Sequence, residues 1–289
     1  METASKKSPV AQPFGIDAIP GQVAGAPPKV GVVLAAGNGL RMKDGGVPMP
    51  KVLLKVGGMH LVERAVLTLR FAGLDRIRVV LGNAAERLEE AISKMPNLRG
   101  LPIELVRCED FQRGNGASLR AGALGLDEPF LVTMADHVLS VEMVRELVVA
   151  AGQDCLAPHL LVDPDPDNVF DLDDATKVQT RNGAIASIGK ELDSYDVIDT
   201  GVFHFPAWAS REINAAVEEG ANSVSEIVAR LMSMGRFGTV SASNPIWQDV
   251  DTPAMAREAE RMLLRKLARR SVGEVDGRPL RALTPSLAV

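Results

Sequence analysis

An apolar run that stops in a glycine-spaced loop constrains this chain more than any other feature. Val32-Val33-Leu34-Ala35-Ala36 leads into Gly37-Asn38-Gly39-Leu40-Arg41-Met42, and Pro50-Lys51 follows. A run without polar alternation reads as a strand buried on both faces of a parallel sheet. The loop at the carboxyl end of such a strand is where open α/β sheets hold ligands. Glycines at 37 and 39 let backbone N–H groups approach a phosphate chain, and Arg41 and Lys51 supply the charge that phosphate oxygens attract. A lone Gly-x-Gly is more often an ordinary βα turn. The alanines before this one and the Pro-Lys after it favour phosphate binding.

The pattern around this loop predicts the fold class. Strands are expected at 29–35, 77–81, 103–106 and 130–134, with helices at 61–72, 84–94 and 117–126 between them and a short extended piece at 52–56. Regular alternation of this kind specifies an α/β domain with a mainly parallel sheet and right-handed crossovers. The second half is less regular. A strand is expected at 156–162, followed by the loop Asp163-Pro164-Asp165-Pro166-Asp167, whose prolines cannot donate to a ladder. Segments 176–179 and 184–188 flank Arg181-Asn182-Gly183 and predict a hairpin. A strand at 202–205, helices at 208–218 and 224–234 and a last strand at 239–242 complete the sheet and its cover. Thr252 then caps a helix that runs to 270, with Pro253 at its first position. Residues 1–28, rich in Pro, Ala, Gly and Ser, are expected to be a disordered leader, and 271–289 a flexible C-terminal tail; the single folded domain is 29–270.

Composition excludes several classes. A net charge of −5 argues against a general nucleic-acid binder, and aromatics at 4% against a stacking platform for single strands. No apolar run approaches the ~18 residues of a membrane span. Cys108 and Cys155 lack any Cys-x-x-Cys spacing and read as free thiols in a reducing compartment, and no secretory signal follows Lys6 and Lys7. A cytoplasmic location is expected.

Asp136 closes an entirely apolar strand, where a carboxylate is costly unless solvated, paired or bound to metal. Asp251, beside Asp249, lies just before a helix start. Either acid could be only a cap or a surface group; together they suit a hard divalent cation shared with phosphate oxygens. His137 has no partner histidine or cysteine at zinc spacing. Gly114-Asn115-Gly116-Ala117-Ser118 opens a helix with small residues, an amide and a hydroxyl, which suit either a plain cap or the edge of a nucleobase. Lys177 is either a solvated strand lysine or a cation facing a substrate phosphate. No Gly-x-x-x-x-Gly-Lys-[Ser/Thr] and no Gly-x-Ser-x-Gly occurs, which argues against P-loop hydrolysis and covalent acyl chemistry.

Leu34 to Met42 with Pro50-Lys51 resembles the signature of nucleotidyltransferases with a Rossmann-like, GT-A-like fold, the sugar-nucleotide pyrophosphorylases and cytidylyltransferases. The resemblance runs from Lys29 to Arg270 and adds Asp136, Asp199-Thr200-Gly201 and Asp249-Val250-Asp251-Thr252-Pro253 in order. Within that group Arg113 to Leu119, Met134 to His137 and Asp173 to Val178 most resemble inositol-1-phosphate cytidylyltransferases. What this implies is transfer of CMP from CTP to a phosphoalcohol with Mg2+, phosphocholine and sugar 1-phosphates being the alternative acceptors. A GT-A glycosyltransferase or a non-catalytic nucleotide-binding module are the competing readings; against the former, Asp136-His137-Val138 lacks a second acid two residues on. Residue by residue, the resemblance makes Leu34, Ala35, Ala36 and Gly37 a base and ribose platform. Gly39, Arg41 and Lys51 would hold the triphosphate, and Asn115, Gly116 and Ser118 would select the base. Asp136 and Asp251 would bind the metal, with Lys177, Asp199 and Thr200 on the acceptor side. Such proteins are often fused to a membrane CDP-alcohol phosphotransferase, which here is expected to be a separate partner. The final helix carries Arg257, Arg261, Arg265, Lys266, Arg269 and Arg270. A solvated face and a peripheral membrane dock both remain open for it.

Overall fold

The computed structural model describes residues 26–37, 50–82, 84–271, 274–275 and 278–279. Gly39 and Arg41 lie outside the described residues, as do residues 1–25 of the expected leader and most of the segment between Lys43 and Pro50. In chain order the elements are β1 (Val30–Ala35), β2 (Lys55–Val56), β3 (Met59–His60), α1 (Leu61–Ala72), β4 (Arg76–Leu81), α2 (Ala85–Ser93) and β5 (Ile103–Arg107). Then come α3 (Asn115–Ala123), β6 (Phe130–Met134), β7 (His137–Leu139), α4 (Val141–Gln153), β8 (His159–Asp163), β9 (Lys177–Arg181) and β10 (Ala184–Gly189). The chain continues through β11 (Val197–Phe205), α5 (Ala209–Glu218), α6 (Val224–Met234), β12 (Gly238–Ser241), β13 (Trp247–Asp249) and α7 (Pro253–Ser271). Within the expected tail, β14 (Glu274–Val275) pairs with β15 (Arg278–Pro279).

Nine strands form one mixed sheet in the order β5-β4-β1-β6-β11-β8-β12-β10-β9. β5, β4, β1 and β6 run parallel, as the alternation of strand and helix requires. Beyond β6 the direction changes: β11 lies antiparallel to both β6 and β8, while β12 slots in parallel to β8 and antiparallel to β10. Side chains of β1 alternate across the sheet. Val30, Val32 and Leu34 pack with α3, α5 and α6 on one face; Val33 and Ala35 pack with α1, α2 and α4 on the other. The result is a three-layer α/β/α domain in which both faces of β1 are dry, and this is why its sequence is apolar throughout.

Three differences from the expected elements bear on the site. The piece at 52–56 begins as a tight 3-10 turn, Lys51–Leu53, because Pro50 fixes the entry and Leu53 N–H donates to Pro50 O at 2.9 Å. β11 starts at Val197, five residues earlier than expected, and its register shifts between Asp199 and Val202. β7 and β13 form a separate antiparallel ladder, with Asp249 opposite His137 and Trp247 opposite Leu139.

Candidate active site

Four chain segments bring the ionised groups together. β6 ends at Met134, and Ala135 N–H still donates to Leu34 O at 3.0 Å, so Asp136 emerges at the carboxyl end of β1, in the same cavity lining as Ala36 and Gly37. The β7–β13 ladder then continues one step further: Val250 N–H donates to Asp136 O at 3.0 Å, which brings Asp251 alongside Asp136. Thr252 caps α7 through Met255 N–H at 3.3 Å, as expected, and so holds Asp251 at a fixed helix start. Lys51 is carried in by its 3-10 turn, anchored by buried Val52 and Leu53. Its ammonium donates to Asp136 Oδ2 and Asp251 Oδ1 at once.

A cavity of about 430 Å3 opens over this cluster. Of the residues singled out in the sequence, Leu34, Ala36, Gly37, Lys51, Asn115, Ser118, Asp136, Asp199 and Asp251 line it. Four others do not. Ala35 is buried in the opposite core face. Gly116 N–H donates to Asn222 O at 2.9 Å, joining α3 to the turn before α6. Lys177 is buried with its ammonium donating to Asp173 O at 3.0 Å. The Thr200 hydroxyl donates to Leu161 O at 2.8 Å on β8. The bulge explains why Asp199 and Thr200 part company: Gly201 takes φ +74°, and its N–H closes on Asp199 Oδ1 at 2.7 Å. A Cβ at Gly201 would stand 2.7 Å from the His137 ring, so glycine is needed there for conformation and for space.

Sequence reasoning did not single out Asp174, Lys190, Trp247, Phe111 or Phe170, all of which line the cavity. Lys190 donates to Asp174 Oδ1 at 2.6 Å. Trp247 stacks on His137, with centroids 6.3 Å apart and planes 15° from parallel, and its indole N–H donates to Asp163 Oδ2 at 2.7 Å. His137 Nδ1 lies 2.9 Å from Asp136 Oδ1, so Asp136 is gripped from both sides.

The charges shift one another. Burial opposes ionisation of Asp136, but the Lys51 ammonium and His137 outweigh it and hold the carboxyl well below the usual range. Burial likewise opposes the charged forms of Lys51 and His137. The carboxylates around them prevail and raise both. Asp199 is pushed up to about 6 by burial, against the Gly201 N–H and His137. Asp249 is also raised by burial, with Asp251, Asp136 and Asp174 adding repulsion that His137 partly offsets. Oxygens of Asp174, Asp249 and Asp251 lie within 4.8 Å of one another, a cluster able to hold a metal ion. The donor set is carboxylate only, without sulfur, which fits a hard divalent cation rather than zinc.

Residues 31–229 match the model of the MobA-like NTP transferase domain. The chain belongs to that family. The chain is 37% identical over 80% of its length to the bifunctional IPC transferase and DIPP synthase of Rubrobacter xylanophilus, and 30% identical over 81% to that of Archaeoglobus fulgidus. It spans 51% and 43% of those relatives, about half their length. The solved structure of the inositol-1-phosphate CTP transferase from T. maritima superposes with a TM-score of 0.72 at 23% identity, covering 83% of this chain and 97% of that one. The NTP transferase domain thus has the fold expected from its glycine loop. No helix among the described residues is long and apolar enough to cross a membrane.

Proposed function

We propose that the chain transfers CMP from CTP to inositol 1-phosphate, giving CDP-inositol and pyrophosphate. The observation that carries this reading is the identity of 30–37%, over some four fifths of the chain, to relatives named for IPC transfer. The convergence of Lys51, Asp136 and Asp251 on one cavity supports it.

The chemistry asks little of an acid or base. A phosphomonoester is largely dianionic at neutral pH because its second pKa is about 6. The nucleophilic oxygen therefore arrives ionised; it attacks the α-phosphorus of CTP in line, and the bond to the pyrophosphate oxygen breaks. The protein must hold two anions together and neutralise the leaving group. In this reading Leu34, Ala36 and Gly37 form the platform under the base and ribose, and Asn115 and Ser118 lie at the base edge. Arg41, Gly39 and Lys51 take the triphosphate, and Asp199 faces the acceptor. Asp136 and Asp251 would hold Mg2+, which when bound supplies positive charge to the phosphate oxygens. Lys177 and Thr200 would act on the acceptor side through backbone, by fixing the strands that carry Asp199. We place the reaction in the cytoplasm, with a membrane CDP-alcohol phosphotransferase as the consumer of the product.

Pyrophosphate release from each nucleoside triphosphate, with Mg2+ and a panel of inositol 1-phosphate, phosphocholine and hexose 1-phosphates, tests the assignment. Release with CTP and inositol 1-phosphate alone is expected. Release with another pair keeps the mechanism and corrects the substrate; silence across the panel removes the activity.

A further inference from the structure

Asp136 and Asp251 lie 85 and 200 residues beyond Lys51 along the chain, yet its one ammonium bonds to both carboxylates. The side chains of Lys51, Asp136 and Asp251 are only 12%, 23% and 13% exposed, so little water screens the two anions from each other. Carboxylates brought together in such surroundings need a cation between them. In this structure that cation is the Lys51 ammonium. A divalent ion seated between Asp136 and Asp251 would compete with the ammonium that holds one oxygen of each, and it would face a like charge at close range. The lysine backbone does not stand in the way of an exchange. It is pinned by the Pro50–Leu53 hydrogen bond and by buried Val52 and Leu53, whereas the four-carbon stem is flexible enough to swing the ammonium elsewhere in the cavity.

We propose that Lys51 is a latch on the cation seat: its ammonium bridges Asp136 and Asp251 and competes with a divalent ion for them, until a triphosphate offers it a second anion and draws it off both carboxylates. The consequence is an order of loading. Nucleotide and cation enter together, and a divalent ion alone binds weakly. This rests on the reading of Asp136 and Asp251 as the cation-binding pair, and is independent of which nucleotide or acceptor is used.

The probe is Mn2+, with the free ion measured by electron paramagnetic resonance. Without nucleotide, Lys51→Met is expected to bind Mn2+ roughly tenfold or more tighter than the unaltered chain, because a like charge has left the seat. Equal or weaker binding by Lys51→Met, in protein whose melting curve shows it folded, overturns the latch. A second measurement needs no variant. Saturating Mn2+ without nucleotide should raise acetylation of Lys51 in the unaltered chain, read by mass spectrometry, since the ammonium is displaced from its partners. Unchanged acetylation overturns the proposal as well. Neither arm contains CTP or acceptor, so a failed latch and a failed cytidylyl-transfer assay are read separately.

Discussion

Removing the Lys51 ammonium leaves Asp136 and Asp251 facing each other without the counter-charge they share. Lys51→Ala is expected to lower turnover by about 10²–10³-fold, the usual loss for one preorganised charge-stabilising group. It should also lower the thermal midpoint of the metal-free protein more than that of the Mg2+-loaded protein; steady-state rates and melting curves with and without Mg2+ check both. A second residue, outside the cavity lining, is expected to contribute to acid sensitivity. His204 is fully buried, its Nε2 has no hydrogen-bond partner, and its ring lies 5.6 Å from that of His159. Burial, with His159 adding to it, pushes its pKa down to about 3, so the fold holds it neutral. An unfolded histidine titrates near ~6.5. The unfolded chain therefore gains a proton first, and stability falls as pH drops from the unfolded value toward the folded one. His204→Leu should flatten the decline of the melting temperature between about pH 6.5 and 4. A slope as steep as that of the unaltered chain would assign the acid sensitivity elsewhere. Lys51, Asp136 and Asp251 were legible in the sequence because each interrupts a strong local pattern: a Pro turn, the end of an apolar strand, a helix cap. Asp174, Lys190 and Trp247 were not. They reach the cavity from a long loop, a hairpin end and a three-residue strand, none of which has a period to read.

At the scale of elements, the seam between α3 and α6 positions one wall of the cavity. Gly114 has φ +123°, and a Cβ there would stand 2.3 Å from Asn222 O. Asn115 Oδ1 accepts Val224 N–H at 2.9 Å, adding to the capping box formed by Ser223 and Glu226 at the start of α6. Gly114→Ala is expected to destabilise the fold by about 1–3 kcal/mol, as a strained backbone position does. Asn115→Ala should cost about 1 kcal/mol, the typical loss of one helix cap. Urea denaturation measures both, and a neutral Gly114→Ala would show that the α3–α6 contact gives way freely. Most elements were readable from periodicity, since α1, α6 and the strands of the first half carry clean stripes. The helix α4 has an equally plain signal, with Ser140 as N-cap and Met143, Val144, Leu147, Val148 and Ala151 at helical spacing. It escapes a reading by segments because it follows β7 with only Ser140 between and no Gly or Pro to mark a boundary. The early start of β11 is hidden for a different reason: its bulge interrupts the alternation that would announce a strand.

For the whole molecule, a cation has a part in the proposed chemistry and none in holding the fold together. Lys51 already neutralises the carboxylate pair, and the hydrophobic layers on both faces of the sheet are complete without any ion. Chelation with EDTA is therefore expected to abolish transfer while leaving the far-ultraviolet circular dichroism spectrum and the melting transition intact; a protein that unfolds in EDTA would show the opposite arrangement. The parallel half of the sheet was legible because βαβ alternation leaves few other topologies. The antiparallel half was legible only in part: Arg181-Asn182-Gly183 announced the β9–β10 hairpin, but sequence order says little about where β12 inserts. That insertion governs how the chain is made. β12, at residues 238–241, fills the gap between β8 at 159–163 and β10 at 184–189, so the edges of both strands stay open until residues 238–241 have left the ribosome. A nascent chain stalled before β12 would carry two apolar strands with unpaired backbone, a template for association with any neighbour in the same condition. Slow codons or pauses ahead of residue 238 would lengthen that exposure, and the demand for a chaperone would peak there, after the parallel half of the sheet had already folded.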